Sequence, residues 1–174
     1  MKKALFIVVI LCVGNFTMNS QNSQFGSTAG FYNLSIKASS SGLSASADAS
    51  GFFAGFYGNF NLSESLSLQP EIQLGMTFSD GESSEQILLP VMFKYYVSEK
   101  FNVQAGPQFD FVLNGGPGIN SLGVGLGFGA GFDFTDKLFA SGRYGLGLTN
   151  RLEDAPSDVT VKFNIIQIGI GFRF

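Results

Sequence analysis

Residues Leu66–Phe78, LSLQPEIQLGMTF, alternate without an error. Leu66, Leu68, Pro70, Ile72, Leu74, Met76 and Phe78 are apolar, and Ser67, Gln69, Glu71, Gln73, Gly75 and Thr77 are polar or small. Successive side chains of a β-strand point to opposite faces, so this period describes a strand with one greasy and one wet side. The run exceeds the usual globular strand of about 5–6 residues. It suffices for a tilted membrane-crossing strand, which needs about 9–11.

The same alternation recurs along the chain. A first strand is expected over Gly30–Ala38, with Tyr32, Leu34 and Ile36 facing lipid and Asn33, Ser35 and Lys37 facing in. Further strands are expected over Phe52–Leu62, Ile87–Val97, Phe101–Leu113, Leu122–Phe134 and Leu138–Thr149. The last carries Ile166, Ile168, Ile170, Phe172 and Phe174 outward. Upstream of Ile165 its parity fails at Lys162 and Asn164, which implies a projection above the bilayer or a bulge. Pro70, Pro90 and Pro107 fall inside strands, where each removes a ladder donor and marks a possible bulge.

The connections differ in length. Ser39–Gly51, Ser79–Gln86, Asn114–Ser121 and Asn150–Thr160 are long and polar, and the Ala38–Ser50 stretch is small and polar enough to be mobile. Asn61–Ser65, Ser98–Lys100 and Thr135–Lys137 are short. Short periplasmic turns and longer outer loops characterise outer-membrane barrels. The expected fold is therefore all-β, an eight-stranded antiparallel up-and-down transmembrane β-barrel, with every backbone group paired as hydrocarbon requires. Phe60, Phe101, Phe134, Phe172 and Phe174 near the short-turn ends suit an interfacial girdle.

The start, MKKALFIVVILCVGNFTMNSQ, has the layout of a secretory signal, so residues 1–20 are expected to be a signal peptide and 21–174 the barrel. The only cysteine, Cys12, lies within that signal. Without Lys2 and Lys3 the balance is eight bases against thirteen acids. No basic stripe exists to hold nucleic acid. Charged residues are 13 % of the chain, against about 25 % in soluble domains, which counts against a soluble lipid-binding barrel of the same period.

Parity turns Glu71, Lys94, Asp110, Asp133 and Arg143 inward, with Lys37 and Arg173 as further candidates. An ion path or a catalytic carboxylate pair is one reading. A hydrogen-bonded structural plug is the other, and the cost of an unpaired buried charge favours it. The glycines at alternate positions from Gly123 to Gly131 leave room that Phe31, Phe53, Tyr57 and Phe139 are expected to fill. With no histidine and no mature cysteine, no catalytic site, cofactor site or His/Cys metal site stands out. The loop acids Asp48, Asp80, Glu82, Glu85, Glu153, Asp154 and Asp158 offer oxygen ligands to a hard cation, without EF-hand spacing; Arg151 is the lone base among them.

Several segments resemble the outer-membrane protein β-barrel family that includes PorT-like proteins and small barrels of the OmpA/OmpX type. They are SLQPEI (Ser67–Ile72), LPVMFKYYV (Leu89–Val97), NVQAGPQFDFVL (Asn102–Leu113), RYGLGLTN (Arg143–Asn150) and GIGFRF (Gly169–Phe174). The resemblance implies residence in the bacterial outer membrane among lipid and lipopolysaccharide. It also implies that Phe172 and Phe174 form a sorting signal for the barrel-assembly machinery. Enzymes of this architecture rely on histidine, which is missing here. The expected role is non-enzymatic, structural or interacting through the outer loops. A PorT-like accessory role in protein export and a soluble lipid-binding barrel remain alternatives.

Overall fold

A computed structural model describes residues 23–79, 81–153, 155–156 and 158–174. The expected signal peptide, and the loop acids Asp80 and Asp154, lie outside the described residues. The strands are β1 (Ser23–Ser40), β2 (Leu43–Asn61), β3 (Leu66–Ser79), β4 (Glu82–Tyr96), β5 (Phe101–Val112), β6 (Leu122–Asp133), β7 (Leu138–Gly147) and β8 (Val159–Arg173). Each pairs antiparallel with its sequence neighbours, and β1 pairs with β8 to close the barrel.

Alternation sorts the side chains as expected on β2 to β7. On β3, Ser67, Gln69, Glu71, Gln73 and Thr77 are buried inside, while Ile72, Leu74 and Phe78 are exposed on the outer wall. Phe52, Phe56, Phe93, Val103, Phe128, Tyr144, Ile168 and Ile170 continue that exposed apolar belt. This sidedness removes the soluble alternative, because the greasy surface is outside and the amides are inside.

The three short turns share one chemistry. In Ser63-Glu64-Ser65, Ser98-Glu99-Lys100 and Thr135-Asp136-Lys137 the leading hydroxyl oxygen accepts the N–H of the residue three further on, at 3.0–3.2 Å. The residue before each hydroxyl, Leu62, Val97 or Phe134, donates its N–H to the carbonyl of Leu66, Phe101 or Leu138. A hydroxyl at this position offers the backbone a local partner, which is why Ser and Thr favour turns.

Five expectations are corrected. The 39–51 segment is no mobile loop: β1 and β2 run on to Ser40 and Leu43 and meet at Ser41-Gly42. Both turn residues have positive φ, 47° and 85°, the geometry of a tight two-residue hairpin. Likewise β3 and β4 extend to Ser79 and Glu82, with Gly81 at φ 84°. The parity of β1 is inverted: Tyr32 and Leu34 are buried inside, and Phe31 is 43 % exposed on the outer wall with Lys37 also exposed. Phe31 is thus no interior filler. Phe53, Tyr57 and Phe139 are buried inside but stand over Gly169, Gly26 and Gly171. The room at Gly123, Gly127, Gly129 and Gly131 is taken by Arg151, Met92, Arg143 and Gln104. The prolines make no bulge. Bridge pairs drop out near Pro70, Pro90 and Pro107, but the register is the same on both sides of each gap. The missing N–H costs local bonds and no slip.

The wall is uneven. β1, β2 and β8 are 18, 19 and 15 residues long, while β7 has 10. Pairing of β2 with β3 begins at Ser50, and pairing of β7 with β8 ends at Ile165, so a three-stranded sheet rises above the rest. Its sidedness is reversed. The outward face carries Ser35, Lys37, Asp48 and Lys162, with Asn164 buried at its lower edge, where its Oδ1 accepts the Gly147 N–H at 3.1 Å. The inward face carries Leu34, Ile36, Phe163 and Ile165. Strand β8 pairs with β1 without interruption, so the parity change at Asn164 is this reversal and no bulge.

Candidate functional site: the barrel interior and its outer sheet

The interior holds the five expected residues, but as three ion pairs and one lone cation. Near the middle, Arg143 pairs with Glu71 at 2.6 Å. Glu71 also accepts from the Nε2 groups of Gln69 and Gln73, at 2.7 and 2.5 Å. Gln167 Nε2 donates to Gln73 Oε1 at 2.7 Å, and Arg143 Nε donates to Gln104 Oε1 at 2.9 Å. A buried carboxylate needs such company to offset its desolvation. The belt crosses the barrel from β3 to β5, β7 and β8 and ties those walls together.

Toward the short-turn end, Asp133 pairs with Arg173 at 2.7 Å and accepts from Tyr96 OH at 3.3 Å. Arg173 also donates to the Asp136 carbonyl at 3.0 Å. Beside it lies a cup of about 790 Å³ lined by Asn59, Ser67, Tyr96, Lys100, Asp133 and Arg173 among others. Lys94 lies at this end, 1 % exposed.

At the outer end, Asp110 pairs with Arg151, which the sequence reading left among the loop residues. Arg151 is 1 % exposed. Its Nη1 donates to the carbonyls of Asn120 and Ser121 at 3.2 and 3.3 Å, and its guanidinium lies 4.5 Å from the centre of the Phe163 ring. A guanidinium is a donor-only fork that also stacks on rings, which suits it to this position. Gly123 makes the space: a Cβ there would collide with the Arg151 guanidinium.

Residues 113–121 and 148–153 are bound into one lid. Asn120 N donates to Arg151 O, Glu153 N donates to Gly118 O, and Ile119 and Leu152 form a β-bridge. Arg151 N reaches the Val161 carbonyl on β8, and Asn150 Nδ2 that of Val159. The lid therefore caps the low side of the wall and covers the free edge of β8. On the high side, Leu43–Asp48 of β2 has β1 on one side and, among the described residues, no strand on the other. The loop acids do not gather: among the described residues no three His, Cys, Asp or Glu stand close enough to hold a metal ion.

The sequence profile of the outer membrane protein beta-barrel domain family matches residues 4–174. The chain belongs to that family. Its fold is similar to that of Neisserial surface protein A, at 16 % identity and TM-score 0.55, over 88 % of this chain and all of that one. It is also similar to Ail, the attachment invasion locus protein of Yersinia pestis, at 12 % identity, 0.54, and 88 % and 100 % coverage. A third likeness is to the outer membrane protein OprG from Pseudomonas aeruginosa, at 12 % identity, 0.51, and 87 % and 96 % coverage. No curated protein sequence matches. The family and its barrel architecture locate the chain in the bacterial outer membrane.

Proposed function

We propose that this barrel is a non-enzymatic anchor that presents the β2–β1–β8 extension to an extended segment of a partner protein. The supporting observation is the edge Leu43–Asp48, which no strand among the described residues covers, on a sheet whose outward face has turned from apolar to polar. An uncovered edge is a template for a further strand. Side chains there are Leu, Ser, Ala and Asp, small enough after Leu43 to let another backbone approach. The lid set by Arg151 argues against a solute channel as the main role. Outer-membrane lipid surrounds the apolar belt, and Phe172 and Phe174 serve assembly.

The test is photocrosslinking from Ser44 and Ser46 in intact cells, with Ile168 as a lipid-facing control. Adducts to one protein from the edge positions, lost on Asp48→Pro, which removes an N–H on the open side and leaves the pairing with β1 intact, support the reading. Adducts equally strong from Ile168, or none from the edge, overturn it. If the partner captured belongs to a protein-export apparatus, the PorT-like accessory role is the particular form this takes.

A further inference from the structure

Among the described residues the three interior acids each face an arginine, which leaves Lys94 as a fourth buried cation with no carboxylate of its own. Its Nζ donates to Gln69 Oε1 at 3.1 Å and stands 5.0 Å from the Phe139 ring centre and 5.8 Å from that of Tyr96. An ammonium has three N–H donors and no acceptor. One hydrogen bond and two ring faces leave both its charge and its donor capacity incompletely matched.

Two neighbouring donors are also without acceptors. Ser67 Oγ and Asn102 Nδ2 are buried and have no hydrogen-bond partner, and both residues are 1 % exposed. Ser67 lies directly opposite Lys94 on β3. Asn102, on β5, lies two residues from Gln104, the direct partner of Lys94. Diagonal neighbours on one sheet face are within reach of long side chains.

The amide orientations here are fixed by chemistry. Arg143 can only donate, so Gln104 turns its oxygen to Arg143 and its Nε2 to Asn102 Oδ1, at 2.8 Å. Asn102 is thereby left with Nδ2 free. Lys94 can only donate as well, so Gln69 turns its oxygen to Lys94 and its amide to Glu71. Both chains end in donors, Asn102 Nδ2 and Lys94 Nζ. Of the three donor residues Ser67 lines the cup, beside Lys100 and Arg173 and the acids Glu64, Glu99 and Asp136.

We propose that Lys94 Nζ, Ser67 Oγ and Asn102 Nδ2 form a binding site for a small monovalent anion of the halide class, reached from the short-turn end. A species that only accepts hydrogen bonds and carries one negative charge satisfies all three donors. It also brings the described interior charges, three acids against four bases, to neutrality.

The experiment uses the full barrel. Crystals grown in sodium bromide are expected to show an anomalous peak within hydrogen-bonding distance of Lys94 Nζ. Urea midpoints of the wild-type protein in bromide are expected to exceed those in gluconate at equal ionic strength. Lys94→Met is expected to abolish both effects. If that variant does not fold, Ser67→Ala, which keeps the ammonium, is expected to narrow the gap between the two salts. A water without anomalous signal at this position, together with equal midpoints in the two salts, overturns the proposal.

Discussion

At the scale of single residues, the outer end depends on Arg151 and Asp110. Arg151→Ala leaves the Asp110 carboxylate buried without its cation, a change that costs about 3–5 kcal/mol in comparable pairs. Urea unfolding in detergent micelles is expected to show that loss, and Asp110→Asn added to Arg151→Ala is expected to recover part of it. Planar-bilayer recordings give a second readout. The single variant frees the lid and is expected to raise conductance, whereas an unchanged baseline would show that the loops close the barrel without Arg151. Gly123→Val is expected to act in the same direction, because its side chain takes the space of the guanidinium. Phe174 is a separate case: its N–H is held by the Phe25 carbonyl while its ring is 71 % exposed. Phe174→Asp is expected to lower the amount of assembled barrel on the cell surface, measured by surface labelling. Normal levels would remove the sorting role.

At the scale of elements, what was legible depended on contrast between the two faces. β3 and β6 read correctly because apolar residues, most of them large, alternate with polar residues or glycine at every step. The tip of β2 has the same period in Leu43, Ala45, Ala47 and Ala49 against Ser44, Ser46, Asp48 and Ser50. Alanine against serine is too weak a contrast to be seen, so the segment looked like a loop. β1 was inverted because its apolar residues Tyr32, Leu34 and Ile36 lie where the inner face becomes greasy and the outer face wet. No single strand announces that change; it appears once β1, β2 and β8 lie side by side. Arg151 was missed for a related reason, since its partner is 41 positions away and one of them lies in a loop. The available signal was an inward Asp110 lacking a cation and a loop base lacking a role. The reversal predicts a sharp boundary. In a background without Cys12, cysteines at Lys37 and Lys162 are expected to react with a membrane-impermeant maleimide, and cysteines at Ile166 and Ile168 to resist it. Equal labelling of all four would mean that the belt ends lower than the register implies.

At the scale of the molecule, an apolar exterior and closed hydrogen bonding predict behaviour in electrophoresis. The unheated protein in dodecyl sulfate is expected to migrate differently from the boiled one, and to stay in the membrane fraction until detergent is added. A single band position and release into buffer would contradict the sidedness of every strand. The interior explains why so polar a core tolerates enclosure. Its acids are matched by arginines from strands or loops distant in sequence, as in Glu71 with Arg143 and Asp133 with Arg173. Replacing such a buried pair by apolar residues is often neutral, whereas removing one partner leaves an uncompensated charge.

The three alike turns bear on the order of events in assembly. Each hydroxyl-led corner sets the alignment of its own two strands from residues close in sequence, so three hairpins can take their register early. The seam between β1 and β8 has no such local guide. Its partners, such as Gly26 and Arg173, are the most distant in the sheet. A chain released before that last strand would offer the cell two open flanks and an Asp133 carboxylate without its Arg173, visible damage on which proteases could act.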